Sequence, residues 1–174
     1  PRAAVKLIDI LQGKWLGHPL HPAIVHVPIG GWLAACVFDV IIAAGWTQGG
    51  PSRLAFYCVV VGLIGAVLAV PPGIADWLSI KKGKPAHKLG VYHMLLNFAA
   101  AIVWGVNLAL RLSTSQPVNA MILATSILGT VLVLVSGYLG SLMVFDHGVS
   151  VARQSKKVWR ERAARGGARL PDET

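Results

Sequence analysis

Four long apolar runs constrain this sequence more than any other feature. They cover roughly residues 23–46, 53–72, 89–110 and 118–145. Each approaches or exceeds the ~20 residues that an α-helix needs to cross ~30 Å of hydrocarbon. In lipid every backbone amide must be paired within the protein, and the sequence lacks the alternating pattern of a membrane β-barrel, so each run predicts a helix. Only 13% of the residues are charged, whereas soluble domains average about 25%.

These runs predict an all-α, polytopic membrane four-helix bundle with short amphipathic segments lying in the membrane interface at both ends. The bundle is expected to occupy residues 17–147, with helices at about 23–46, 53–72, 86–111 and 118–145. Residues 1–16 carry apolar side chains at helical spacing and predict an interfacial helix. Residues 148–174 predict a basic cytoplasmic tail, helical at the membrane surface to about Arg162.

Prolines mark two expected breaks in these helices. The stretch His18-Pro19-Leu20-His21-Pro22 predicts an extended path, because a residue before proline is disfavoured in the α region. The first membrane helix would then begin near Ala23. The triplet Pro71-Pro72-Gly73 is expected to end the second helix, leaving residues 74–80 as a separate interfacial piece.

The distribution of basic residues predicts the orientation of the bundle. Lys and Arg side chains number three before the first helix, four between the second and third helices and seven in the tail, whereas the other side has only Arg53 and Arg111. Because basic loops stay in the cytoplasm, both termini are expected to be cytoplasmic, in a bacterial inner membrane. The net charge of +9 therefore indicates contact with anionic lipid headgroups rather than with nucleic acid.

This topology brings all six histidines to one face of the membrane. Ionisable groups are costly in a bilayer and point to function. Two imidazoles from facing helices suit axial ligation of a b-type haem. His26 and His93 are the preferred pair, with His21 and His147 as substitutes, and Asn97 lies four residues after His93 on the same helix face. Such a site predicts electron exchange with a quinone or a redox-protein partner.

Other interpretations of the cluster stay open at the level of sequence. One alternative is a divalent metal bound by the histidines. A second is proton handling by the cluster. A third is that the chain is a structural subunit of a larger membrane complex, without any cofactor. Asp39 lies deep in the first helix and predicts a structural hydrogen bond or a step in a proton path. No nucleophile–base pattern or phosphate loop is evident, so the sequence leaves enzymatic activity open. The candidate metal ligands are His18, His21, His26 and His93, and the residues expected to support ligating imidazoles are Asp76, Asp146 and His87.

Four blocks of the sequence resemble a bacterial family of small membrane proteins classed as a domain of unknown function. The likeness covers about residues 17–151, and it implies four membrane helices and site residues at His21, His26, Asp76, His93 and His147. Some members of that family are joined to Rieske-type iron–sulfur modules, so the resemblance implies electron-transfer partners. This chain departs from those members because its tail is only basic. The blocks are His21-Pro22 with His26-Val27-Pro28-Ile29-Gly30; residues 72–77; His93 with Asn97; and Ser136–Gly140 followed by His147-Gly148-Val149.

Overall fold

The structure, a computed structural model, describes residues 6–47, 50–149 and 156–167, and every regular element in those ranges is a helix. Four helical segments are long and apolar enough to cross a membrane, with mean hydropathies between 1.6 and 2.4. The all-α class and the four membrane-capable helices are therefore confirmed. The elements are α1 (Leu7–Leu11), a 3-10 helix (Lys14–Leu16), α2 (Leu20–Ile24), α3 (His26–Ala43), α4 (Gly50–Leu78), α5 (Pro85–Leu112), α6 (Ala120–Phe145) and α7 (Lys156–Arg165).

The first membrane segment begins earlier than the sequence predicted. It runs over Leu20–Ala43, as α2 followed by α3 with a break at Val25. Pro19 has the extended backbone expected of the His-Pro stretch. Pro22 lies in the first turn of α2, where a helix has no use for the missing N–H, so it does not prevent helix formation. His21 is consequently helical, which contradicts the predicted extended path.

The end of this segment is also shifted, from the expected residue 46 to Ala43. Gly45 follows with a φ of +73°. Glycine adopts this left-handed conformation at little cost, and it commonly terminates a helix one or two residues after its last regular turn.

Helix α4 continues through its two prolines, which contradicts the predicted break. Pro71 and Pro72 lie inside a 29-residue helix that ends at Leu78. Two missing N–H donors leave two carbonyls one turn earlier without helical partners. Those carbonyls belong to Val67 and Leu68, and a membrane helix tolerates proline where neighbouring helices, side chains or water supply donors to the freed carbonyls. Residues 74–78 thus belong to the second membrane helix.

The bundle is built from two helical hairpins. Helix α3 packs most extensively on α4, and α5 on α6. Between the hairpins, Trp32 and Trp104 stack with ring centroids 5.7 Å apart and planes 10° from parallel. Trp32 lies against Gly62 and Trp104 against Gly129, where any Cβ would overlap the indole rings. The centre of the core is therefore an aromatic contact that requires glycine at position 62 of α4 and at position 129 of α6.

The described part of the predicted amino-terminal segment is a short helix and a 3-10 turn, tied to the end of α4. Gln12 is buried and donates to the carbonyl of Ala75 at 2.9 Å and to the hydroxyl of Ser79 at 2.5 Å. Lys14 pairs with Asp9, and this hydrogen bond holds the pKa of the Asp9 carboxyl below its ordinary value. Residues 1–5, 150–155 and 168–174, which include parts of the predicted segment and tail, lie outside the described residues.

Candidate histidine site

His93 lies on the face of α5 that packs against α6. Its Nδ1 is 2.8 Å from the carbonyl of Ser136 and 3.0 Å from the hydroxyl oxygen of the same residue. On the other side of the ring, the amide Nδ2 of Asn97 is 3.0 Å from Nε2. An amide nitrogen can only donate and a carbonyl can only accept. The neutral ring is therefore assigned its proton on Nδ1 and a lone pair on Nε2.

Asn97 and Ser136 also fix the backbone beside His93. Asn97 Nδ2 donates to the His93 carbonyl at 2.9 Å, and the Ser136 hydroxyl lies 3.2 Å from that oxygen. This second acceptor fixes the orientation of the Asn97 amide, since its oxygen could not face a carbonyl. The sequence spacing predicted that Asn97 would share a face with His93, whereas nothing in the spacing identified Ser136 as its partner.

His21 has a matching arrangement on the other hairpin. Its Nδ1 is 2.9 Å from the carbonyl of Ala69 on α4, so this nitrogen carries the proton and Nε2 has the lone pair. The ring lies against Gly73, where an added Cβ would be 2.8 Å from both Cε1 and Nδ1. Glycine at this position therefore allows the imidazole to approach the helix backbone.

The two rings meet between the hairpins. The centroids of His21 and His93 are 6.2 Å apart and their planes are 85° from parallel. His93 lies beside Gly140, whose added Cβ would be 3.2 Å from the ring. In each ring the Nδ1–H donates to a backbone carbonyl, an arrangement that places the lone pair of a neutral imidazole on Nε2. On His93 this lone pair accepts a hydrogen bond from Asn97.

His26 is not part of this pair. Its side chain is exposed on α3, and its Nδ1 lies 3.3 Å from the carbonyl of Ala23 in its own turn. The structure thus puts His21, named from the sequence as a substitute, in the position expected for His26. The reason is that the helix begins at Leu20, so that His21 already lies on an inward-facing turn.

The other predicted residues occupy separate places at the same end of the bundle. His18 is exposed before α2. The ring of His87 packs on Trp77 with centroids 4.6 Å apart. Asp146 and His147 are exposed after α6, and His147 shares with Asp76 an open depression of about 570 Å³. Within the described residues, no group of three or more His, Cys, Asp or Glu side chains is arranged to hold a metal ion.

A second buried polar cluster lies at the opposite end of the bundle. Asp39 is fully buried, and its Oδ2 accepts from Arg111 and, at 2.5 Å, from the hydroxyl of Ser126. The Nε of Arg111 donates to Asn107 at 2.8 Å. The sequence predicted a structural hydrogen bond or a proton path for Asp39 but did not identify Arg111 and Ser126 as its partners. The four-residue spacing from Asn107 to Arg111 was the available signal.

Comparison with known proteins gives one match. Residues 17–153 match the model of a family described as Predicted membrane protein (DUF2231). No curated protein and no solved structure matches the chain.

Proposed function

This chain belongs to the DUF2231 family of predicted membrane proteins, and we propose that it is an electron-transfer module holding a b-type haem between His21 and His93. One observation supports the proposal above the others. Each hairpin contributes one imidazole, and each imidazole is anchored through Nδ1 to a backbone carbonyl with its Nε2 left as a lone pair. Paired histidines inside a helix bundle are a usual means of holding haem iron.

The chemistry of the side chains fits this cofactor. The Asn97 donor at Nε2 requires a lone pair there, so the His93 ring is neutral in this hydrogen-bonding pattern, and neutral imidazole is the form that ligates iron. The Asn97 amide donates to Nε2 of His93 at 3.0 Å and also to the His93 carbonyl. Asn97 therefore keeps one hydrogen bond if Nε2 coordinates a metal. The haem, when bound, would accept and donate single electrons. The protein would set the tautomer of the two histidine ligands and surround the haem with apolar helices.

The membrane setting of the proposal follows from charge. We place the histidine end at the cytoplasmic face of a bacterial inner membrane, because Lys81, Lys82, Lys84 and Lys88 lie at that end. The termini would then also be cytoplasmic. Anionic lipids would contact this face, and a quinone or a redox protein, alone or within a larger complex, would exchange electrons with the haem.

Reconstitution with haemin tests the choice of ligands. His21→Ala and His93→Ala are expected to lose the spectrum of six-coordinate haem, because each removes one axial nitrogen. His26→Ala is the matched control, an exposed histidine five residues from His21 that should bind haem as the unmodified protein does. Equal binding by all four proteins, or loss in His26→Ala with retention in His21→Ala, would refute the proposed pair.

A different observation favours a second candidate, a proton or divalent-cation site. Both ring nitrogens of His93 have hydrogen-bond partners, and the neighbouring His21 ring faces it edge-on. Such a network can pass a proton or accept a small cation without a macrocycle. Proteoliposomes of haem-free protein would then show proton or cation flux that His93→Ala abolishes. Absence of both flux and haem binding would leave a structural subunit.

A further inference from the structure

The buried ion pair at the end opposite the histidines has unused hydrogen-bonding capacity. The side chain of Arg111 is only 4% exposed, and Asp39 is fully enclosed. Among the described residues, Arg111 Nη1 and Asp39 Oδ1 are buried without a hydrogen-bond partner. Buried polar atoms are rarely left unpaired in proteins, so the Nη1 donor of Arg111 calls for an acceptor from outside the chain.

Arg111 also borders an open depression of about 540 Å³ at the membrane boundary. A second guanidinium, that of the exposed Arg53, lies on the same wall near the start of α4. The remaining lining comes from the first turns of α4 and the loop between α5 and α6. Apart from Pro117 it is polar or aromatic: Ser52, Phe56, Tyr57, Thr114, Ser115 and Gln116.

The charges around this depression do not balance. Asp39 is the only acidic residue between positions 10 and 75, and none occurs between positions 77 and 145. It can neutralise one of the two arginines, which leaves one positive charge. The amino-terminal end of α4, a 29-residue helix, adds the partial positive charge of its dipole at the same place.

We propose that this depression, bordered by Arg53 and Arg111, binds a phosphate-class anion at the membrane face opposite the histidines. Guanidinium groups bind phosphate oxygens with two parallel hydrogen bonds, and they remain charged at all physiological pH values. The anion is either inorganic phosphate or the headgroup of an anionic phospholipid. Phe56 and Tyr57 are placed where a lipid would contact aromatic side chains at the interface.

Thermal unfolding of the purified full chain in neutral detergent tests the site. The probes are inorganic phosphate, phosphatidylglycerol and phosphatidylcholine, with sodium chloride at matched ionic strength. Arg53→Gln removes an exposed charge without disturbing the buried pair. Lys88→Gln removes an equally exposed charge at the histidine end and serves as the control. An anion that binds only the native state raises the unfolding temperature of the protein by mass action.

The anion is expected to stabilise the unmodified protein and Lys88→Gln to the same extent. The apparent affinity of Arg53→Gln for the anion should be about tenfold weaker, which corresponds to a loss of about 1.4 kcal/mol of binding free energy. Stabilisation by inorganic phosphate identifies a free anion, and stabilisation by phosphatidylglycerol alone identifies a lipid headgroup. The proposal is overturned if neither probe stabilises, if chloride or phosphatidylcholine does so equally, or if Arg53→Gln responds as the control does. No histidine is involved, so the result is independent of haem binding.

Discussion

The positions of the buried polar side chains in this bundle are determined by the hydrogen bonds that their polar atoms make. Hydrocarbon offers no hydrogen bonds, so a polar group between membrane helices needs a partner within the protein. His21 and His93 meet this need through backbone carbonyls of neighbouring helices. Asp39 meets it through Arg111 and Ser126. The two histidine rings are thereby held at fixed positions, because a carbonyl within a helix cannot move away.

The buried ion pair leads to a prediction on stability. Asp39→Ala leaves the enclosed Arg111 without its counter-charge, and breaking one side of a buried pair costs about 3–5 kcal/mol. Replacing both residues, as Asp39→Ala with Arg111→Met, should recover much of this loss because no charge then stays buried. Unfolding free energies of the unmodified protein, both single variants and the double variant provide the measurement. Additive losses in the double variant would show that the two side chains are energetically independent.

At the scale of the helices, the two hairpins depend on glycines that receive tryptophan rings. The added Cβ of an alanine at Gly129 would lie 2.5 Å from Nε1 of Trp104. At Gly137, on the same helix, nothing lies within 4 Å of such a Cβ. Two glycines of α6 that look alike in the sequence therefore have different roles.

This difference gives a matched pair of variants. Gly129→Ala is expected to lower the free energy of unfolding by about 1–3 kcal/mol, because overpacking a core displaces rings and backbone. Gly137→Ala should be neutral or stabilising by up to about 1 kcal/mol, since alanine is the better helix former. Denaturant unfolding in micelles, followed by the near-ultraviolet circular dichroism of tryptophan, compares the two. Equal effects would contradict the packing described between the hairpins.

The helices also show what the sequence could and could not predict. Hydropathy and length determine the four spans, because the thickness of the hydrocarbon imposes them, and these predictions are confirmed. The proline pair at positions 71 and 72 was wrongly predicted to end the second helix, because a membrane helix can continue through proline when it packs among other helices. The choice between His21 and His26 depended on a helix start three residues earlier than expected, and each residue turns a helix by about 100°.

For the molecule as a whole, the main question is which end of the bundle faces the cytoplasm. The histidine site and the basic loop between α4 and α5 lie at one end of the bundle, and the depression that Arg53 and Arg111 border lies at the other end. The positive-inside rule predicts that the proposed haem site faces the cytoplasm and that the proposed anion site faces the opposite compartment.

Cysteine accessibility tests that orientation. Single cysteines at Lys82 and at Gln116, in a background where Cys36 and Cys58 are replaced by alanine, place one thiol in the loop between α4 and α5 and one in the loop between α5 and α6. A membrane-impermeant maleimide added to intact spheroplasts should label Gln116→Cys and spare Lys82→Cys. Lysis should make both sites reactive, which controls for folding. Labelling of Lys82→Cys alone before lysis would invert the proposed topology.

The most direct test of the central claim is the optical spectrum of the purified, unmodified protein from haem-replete cells, recorded before and after reduction with dithionite. If His21 and His93 hold a haem between the hairpins, reduction should produce the sharp α-band of low-spin b-type haem, and a His21→Ala preparation made in parallel should lack it. A colourless protein, or an α-band that persists unchanged in the variant, would contradict the account.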